Sequence, residues 1–512
     1  MQANYMEENK VDSKIDAVYI NNNFNCEAII EKFLNWEFEH NLDKKYINEI
    51  PIWFFVRDQL FTWLLFKILF NENSSFESYK QKRSQFFNKN LLKMSKDIAT
   101  SLAKSYFQVS KNKTIEIIAI SYPGNRKKNI EGKYFNTFYD PVFDQYNNDD
   151  DVCIFELPEY NRALTHYKNN YKNKRVIFGD ILYFKEFFRI TFNDNMEIYD
   201  IFNMFQEFAL SSFNIKLNNE ESLFNNLKLE INRNLKRVKI FDNLIKKYSP
   251  ETIILTSSYS PTMRLIIFLA KRRKIRVLEL QHGHIYPYHF GYRYHKEWIK
   301  YKKELPIVDE IFVFGDYYKS YLNKYGFWTN NEIMIMGNPF FNSKNSKKEP
   351  INLVKDTPFK YTVLIISQHT MTEHIIKFLE GFEKYKEILF IIKTHPNSLE
   401  EYDKYKQKLV SSKNLLIVNS GNIFDYLMQS DVSVGIYTSG LIDSISVGVP
   451  ACTINMNGKN LLNDLVEKDY IRNINSLDEL VELLENGFNK SNYQTKKIYN
   501  EYSPKIIADK LI

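Results

Sequence analysis

Residues 275–295 read Ile-Arg-Val-Leu-Glu-Leu-Gln-His-Gly-His-Ile-Tyr-Pro-Tyr-His-Phe-Gly-Tyr-Arg-Tyr-His. The run Ile275 to Leu280 has the β-branched, apolar character of a buried strand, and it leaves a basic helix spanning Pro261 to Arg273. At Leu280 the chain turns polar, and Gly283 permits a tight turn or the close approach of a ligand. Four of the nine histidines (His282, His284, His289 and His295) fall in this segment. A buried strand that ends in a polar loop is the pattern of an open parallel α/β sheet, which binds ligands at the carboxyl ends of its strands.

Working outward, the same alternation recurs on both sides. Upstream strands are expected at Ile115–Ile120, Val152–Phe155, Arg175–Phe178 and Thr252–Thr256, with mainly helical sequence from 181 to 248. Downstream, Val308–Phe314 leads into a helix from Asp316 to Tyr325. Residues 340–358 are polar and carry Pro350 and Pro358, which marks a linker. A second alternation follows, with strands at Tyr361–Ile366, Ile388–Ile392, Leu415–Val418, Val432–Val434 and Ala451–Ile454, and helices starting near Met371, Glu400, Asn422, Ser439 and Leu461. A chain of 512 residues is too long for one ordinary core. The expected class is α/β, with two Rossmann-like doubly wound domains facing a cleft and a helical N-terminal extension. The boundaries are 1–110 for the extension, 111–340 for the first Rossmann-like domain, 359–493 for the second, and 494–512 for a helix returning to the first domain.

Composition agrees with folded cores: 44% hydrophobic and 16% aromatic residues, with 40 Phe and 35 Tyr against 15 Gly and 14 Pro. The net charge of +7 is spread without a compact Lys/Arg stripe, which argues against nucleic acid as a partner. It reads as a Lys-rich solvated surface, with anionic lipid or a phosphorylated substrate as the further reading. Cys26, Cys153 and Cys452 have neither pairing nor metal-ligand spacing and read as reduced thiols of a cytoplasmic protein. The polar start, Met-Gln-Ala-Asn-Tyr-Met-Glu-Glu-Asn-Lys, is no signal peptide. The stretch Ile52–Phe70 is interrupted by Arg57, Asp58 and Lys67, so it is expected as a buried amphipathic helix rather than a membrane span. The alternative is peripheral contact at the inner face of the membrane, with Trp53, Phe54, Phe61 and Trp63 at the headgroup boundary.

Chemistry is expected at three strand-to-helix junctions. In Lys393-Thr394-His395-Pro396, His395 can donate to a phosphate oxygen, Lys393 can add charge, and Pro396 holds the preceding residue extended. In Tyr437-Thr438-Ser439-Gly440, Thr438 and Ser439 stand at a helix N-terminus, where free N–H groups and hydroxyls suit an anion. Asp443, one turn on, is placed to reach a ribose or sugar hydroxyl. Gln281, His282, Gly283 and His284 form the first domain's contribution, with His289 and His295 as structural or substrate-edge residues. His282 and His284 are two apart, with no acidic or Cys partner at zinc-site spacing, so no metal is expected. Asp140 is the selected general base, with Asp144 and Glu131 behind it; the simple alternative for Asp140 is a turn aspartate before Pro141.

These residues, Glu279–Gly283, Lys393–Pro396 and Tyr437–Pro450, resemble those of the bacterial surface-polysaccharide glycosyltransferases of GT-B type. That group includes capsule and lipopolysaccharide transferases that use CMP-activated nonulosonic acids or Kdo. The likeness extends more distantly to polysialyltransferases and CDP-glycerol transferases. It covers residues from about 250 to 455, and loosely 115–145 with Arg126. It implies His395 at the nucleotide phosphates, Ser439 beside them and His282 in the active site. Thr438 stands where the family more often has serine, and the acidic-acidic-Gly base motif of bacterial sialyltransferases is not evident. The resulting expectation is a metal-independent glycosyltransferase without a cofactor. Its donor is a nucleotide sugar, CMP-linked for preference, and its acceptor a cell-surface polysaccharide or glycolipid. The alternatives are a UDP-sugar 2-epimerase of the same fold, a CDP-glycerol-type polyol-phosphate transferase, and a non-catalytic glycan- or nucleotide-binding module.

Overall fold

Strands that are apolar on both faces, with no polar alternation, belong in parallel sheets covered on both sides. In a computed structural model of the chain, two such sheets form. The structure describes residues 26–70, 103, 115–122, 125–128, 133–145, 151–157, 176–179, 195–217, 221–286, 289–340, 358–368, 371–394, 399–456, 462–487 and 498–511. The first sheet has seven parallel strands: β1 (Ile117–Ser121), β2 (Val152–Glu156), β3 (Val176–Phe178), β4 (Thr252–Leu255), β5 (Arg276–Leu280), β6 (Glu310–Val313) and β7 (Ile333–Ile335). Their spatial order is β3-β2-β1-β4-β5-β6-β7. The second sheet has six: β8 (Tyr361–Ile366), β9 (Ile388–Lys393), β10 (Leu415–Val418), β11 (Val432–Gly435), β12 (Ala451–Ile454) and β13 (Ile471–Ile474). Its order is β10-β9-β8-β11-β12-β13. Both are doubly wound, and each reverses direction once, after its third strand, so that the fourth lies beside the first. Alternation across the pleat is visible in β8, where Val363 and Ile365 join one core and Leu364 and Ile366 the other.

The expected strands lie within two residues of the observed ones at either end. Strands β7 and β13 were not expected. Each is a short edge strand: β7 has only three residues and is half-buried, and Arg472 and Asn473 interrupt the apolar run of β13. The extension also differs from an all-helical segment. Helix α1 (Cys26–Glu39) and helix α2 (Arg57–Phe70) are joined by a tight hairpin, Tyr46–Ile47 against Ile50–Pro51, and a turn at Trp53–Phe55. The aromatic residues of this region do not face a headgroup layer. Trp53, Phe54, Phe61 and Trp63 are buried, and Phe61 stacks on Phe290 with ring centroids 4.2 Å apart. No described helix is long and apolar enough to cross a membrane.

One buried ion pair fixes the extension. Arg57 donates from Nη2 to Glu37 Oε1 (2.8 Å) and from Nε to Glu37 Oε2 (3.0 Å), and Trp53 Nε1 donates to the same carboxylate (2.8 Å). The guanidinium also donates to the Arg293 carbonyl (2.9 Å) and lies 4.1 Å from the Phe290 ring centroid. Glu27 holds Arg293 from α1. The loop that follows the histidines is thus clasped by α1 and α2.

Helix α3 (Pro261–Arg272) follows β4, helix α4 (Asp316–Lys324) follows β6, and helix α5 (Gly440–Ser446) follows β11. The last described segment crosses back to the first sheet. Asn500 N–H donates to the Phe314 carbonyl (2.8 Å), Asn338 N–H to the Asn500 carbonyl (3.2 Å), and Ser503 N–H to the Met336 carbonyl (2.8 Å). Helix α6 (Pro504–Leu511) then packs on the first domain, where Arg276 Nη1 donates to the Lys510 carbonyl (2.7 Å). Close approach here needs glycine. At Gly337, with φ +80°, an added Cβ would stand 2.2 Å from the Glu501 carbonyl oxygen. Gly337→Ala is expected to cost about 1–3 kcal/mol through the positive φ and the clash. A lower melting temperature, with earlier tryptic cleavage near residue 498, checks this; a variant that melts and cleaves like the parent sinks it.

Candidate functional site

The two reversal points place the site. Strands β1 and β4 neighbour each other at the first reversal, and β8 and β11 at the second. Side chains bridge the loops that leave them. Tyr122 OH is 3.0 Å from Ser260 Oγ after β1 and β4, and Gln368 Oε1 accepts the Tyr437 N–H (3.0 Å) after β8 and β11. A cleft of about 780 Å³ lies over these strand ends. The first domain lines it with Tyr259, Ser260, His282, Gly283, His284 and His289, and the second with Gln368, Tyr437, Thr438, Ser439 and Leu462. Helix α2 supplies a third wall, with Asp58, Gln59, Thr62, Leu65 and Phe66.

His282 follows β5. Its Nε2 lies 3.0 Å from Ser257 Oγ and 3.3 Å from Tyr259 OH, while Nδ1 has no hydrogen-bond partner among the described residues. Burial pushes its pKa down to about 4, so the ring is neutral near pH 7. His284 Nδ1 is 2.9 Å from Tyr318 OH. Burial pushes both His284 and His289 down to about 3, helped in each by a neighbouring histidine. The cleft therefore presents neutral imidazoles, which can exchange hydrogen bonds without carrying a buried charge. Among the described residues, no three His, Cys, Asp or Glu side chains come together as a metal-ion cluster.

Gln281 does not line the cleft. It is fully buried; its Oε1 accepts the Phe314 N–H (2.7 Å) and its Nε2 donates to the Gly283 carbonyl (2.8 Å). Its amide is spent on shaping the turn, which corrects its expected role as a ligand contact. Asp443 is not among the residues lining the cleft either. Its Oδ1 accepts from Tyr499 OH (3.0 Å). Tyr499 stacks on Tyr318 (6.3 Å, 15°) and bonds to it, so Asp443 of α5 is joined to His284 across the two domains. Asp464 accepts from Tyr317 and adds a second cross-link.

Burial pushes the Asp443 carboxyl up to about 6, against the Tyr499 hydrogen bond, which favours the charged form. A carboxyl raised above its ordinary 3.8 binds its proton more tightly when folded, so its stabilising contribution is complete below that value and is lost as pH rises through about 6. The parent's melting temperature relative to Asp443→Asn is therefore expected to rise as pH falls from about 6 to about 4. A difference that stays constant through that window sinks the assignment.

Lys393 is buried at the end of β9, where Nζ donates to the Thr394 carbonyl (2.9 Å), and burial lowers its pKa. It is not among the residues lining the cleft. His395 and Pro396 lie outside the described residues, as does Glu131. Asp140 opens a short helix, and its Oδ2 accepts the Asn136 N–H (2.8 Å). The turn function is the one the geometry displays, and Asp140 does not line the cleft. Asp144 ends the same helix. Thr438 Oγ1 accepts the Gly440 N–H (3.3 Å), while the Ser439 side chain makes no capping bond.

No protein-family model matches the chain, and no curated protein matches it. Solved structures resemble it at low identity and with TM-scores below 0.5. A UDP-GlcNAc 2-epimerase from Neisseria meningitidis bound to UDP-GlcNAc is 14% identical, covers 78% of this chain and 99% of its own, and has a TM-score of 0.44. The glycosyltransferase SnogD from Streptomyces nogalater is 11% identical, with coverage of 78% and 99% and a TM-score of 0.46. Spinosyn rhamnosyltransferase SpnG, complexed with thymidine diphosphate, is 10% identical, with coverage of 78% and 100% and a TM-score of 0.41. These similar structures include both glycosyltransferases and UDP-GlcNAc 2-epimerases.

Tyr259 and Ser260 were among the cleft residues missed, as were two further groups. Ser367-Gln368 follows an apolar strand just as Gln281-His282 does, so Gln368 carried a readable signal. Asp58, Gln59 and Thr62 carried none, because only the packing of α2 brings them to the cleft. Asp58 lies 4.0 Å from Arg57 and 3.9 Å from Arg264, and burial raises its pKa.

Proposed function

We propose that the chain is a metal-independent glycosyltransferase. Its donor is a nucleotide-activated sugar, a CMP-linked acidic sugar for preference, and its acceptor a growing cell-surface polysaccharide or glycolipid, served at the cytoplasmic face of the membrane. The observation that carries this reading is the cleft between the carboxyl ends of two parallel sheets. It has a neutral imidazole, His282, on one side and the Thr438–Ser439 helix end on the other. The helix end and His395 would hold the nucleotide phosphates, with Lys393 adding charge from the strand end behind them. Charge developing on the leaving phosphate is stabilised there, while His282 exchanges the acceptor's proton. In this reading His282 takes the role first given to Asp140.

A thermal-shift series with CMP, CDP, UDP and GDP tests the donor, because a ligand that prefers the folded state raises its melting temperature. CMP is expected to give the largest shift, and transfer from a CMP-sugar is expected to survive EDTA. Consumption of UDP-GlcNAc without any acceptor would instead select the epimerase.

A further inference from the structure

The third wall of the cleft differs in chemistry from the other two. Helix α2 lines it with Asp58, Gln59, Thr62, Leu65 and Phe66. At about 100° per residue these positions fall within an arc of roughly 120°, one face of the helix. The opposite arc is packed away: Leu60, Trp63 and Leu64 are buried, Phe61 stacks on Phe290, and Lys67 lies over the Trp63 ring. Both carboxylate oxygens of Asp58 are buried, with Arg57 at 4.0 Å and Arg264 at 3.9 Å, so its charge is met within the protein. Thr62 is exposed, and its hydroxyl donates to the Asp58 carbonyl (2.7 Å), which leaves the hydroxyl oxygen able to accept. Gln59 is half-buried, and no described residue bonds to its side-chain amide, which offers two N–H donors and an acceptor. Leu65 and Phe66, one turn beyond Thr62, add apolar surface. The face thus presents an amide, a hydroxyl oxygen and an apolar patch, with its one charge already paired.

We infer that this face of α2 is the acceptor subsite and that it takes the acceptor's terminal residue as an uncharged pyranose. The inference rests on the proposed transferase reading and names its acceptor class. A pyranose has hydroxyls around its rim and a C–H face, the two surfaces that such a wall recognises. The C–H face lies on Leu65 and Phe66, while the hydroxyls exchange hydrogen bonds with the Gln59 amide and donate to the Thr62 oxygen. An acidic sugar would bring a carboxylate against amide, hydroxyl and hydrocarbon, and a charge taken out of water without a partner is costly. With the proposed acidic donor sugar, the enzyme then sets an acidic residue on a neutral one. Its product ends in a carboxylate-bearing sugar and is a poor acceptor for the next round, so addition stops after one residue.

Saturation-transfer NMR on the full chain reads sugar binding without any need for transfer. The neutral probes are methyl glucoside, methyl galactoside and methyl N-acetylglucosaminide; methyl glucuronide, which differs from the glucoside by one carboxylate, is the acidic one. At least one neutral probe is expected to bind, and the glucuronide about tenfold or more weakly than the best of them. Gln59→Leu and Thr62→Val should each weaken the best neutral probe by about tenfold, the effect of one lost hydrogen bond, with the parent's melting temperature. Gln59→Lys, which puts a cation on the face, should turn the preference toward the glucuronide. In transfer assays the loss should appear in acceptor KM, with donor KM unchanged. The inference is overturned if no neutral probe binds, if the parent takes the glucuronide as well as the neutral sugars, or if both Gln59→Leu and Thr62→Val leave sugar binding as it was. A variant that melts early with unchanged sugar affinity also overturns it, since the chain itself then covers this face. If the parent transfers from no nucleotide sugar while Gln59-dependent binding holds, the proposed function fails and the subsite stands. If the parent transfers and both substitutions leave acceptor KM unchanged, the subsite fails and the function stands.

Discussion

His282→Ala is expected to lower transfer by roughly 10²–10⁴-fold, the range for losing a positioned acid–base group, while nucleotide affinity stays within a few fold. The division follows from the cleft. His282 ends β5 of the first domain, whereas Thr438 and Ser439 belong to the second. The ring's low pKa sets the pH behaviour. A histidine pushed down to about 4 stays neutral above that value, so transfer is expected to hold between about pH 8 and about pH 5 as far as this group governs it. Calorimetry with the preferred nucleotide, turnover and melting temperature on one protein batch decide the matter. If affinity collapses with turnover in a protein that still melts normally, His282 is a nucleotide contact and not the group exchanging the proton.

Arg57→Met is expected to destabilise the fold by about 3–5 kcal/mol, since it strands a buried carboxylate. Glu37 and Arg57 are both fully buried, and Trp53 alone cannot replace the two charge-assisted bonds from the guanidinium. Burial already raises the Glu37 pKa in the parent, against the attraction of Arg57. Without Arg57 the carboxyl must bind a proton to stay inside, so the deficit should shrink as pH falls. Replacing both partners, Glu37→Leu with Arg57→Met, removes the stranded group and should recover most of the loss. Melting curves of the two single variants and the double variant decide it. A single Arg57→Met variant that melts with the parent would mean that the pair does not anchor the extension. Because Arg57 also holds the Arg293 carbonyl and packs on Phe290, the single variant should loosen the loop behind His289 as well.

The sheets were legible because a parallel strand buried on both faces writes itself as an unbroken apolar run, as in Ile388–Lys393 or Ala451–Ile454. The cleft was legible at the strand ends, where His282, Gly283, His284, Thr438 and Ser439 break those runs with polar residues. Residues that reach the cleft by packing left no such mark. Asp58, Gln59 and Thr62 sit on a helix that is apolar on most sides, and contacts such as the Glu37–Arg57 pair and the stacked Phe61 and Phe290 rings bring that helix to the site. Partnerships were equally silent. Asp443 has the sequence position of a ligand contact, yet Tyr499, 56 residues away, takes its oxygen. Gln281 looks like a binding residue from its neighbours, yet the strand-end amide of Phe314 claims it.

The returning segment has a consequence for synthesis. Residues 498–511 complete the first domain, whose other described residues precede the whole second domain in the chain. As the chain emerges from the ribosome, β6 and β7 are made long before the backbone that will pair with Phe314, Met336 and Asn338. Those groups, and the slot kept open by Gly315 and Gly337, must wait in water through the synthesis of the six-stranded sheet. A nascent first domain is thus open along one side at a stage when unpaired backbone invites wrong partners. The two domains cannot simply mature one after the other; residues 498–511, made after the second domain, close the first.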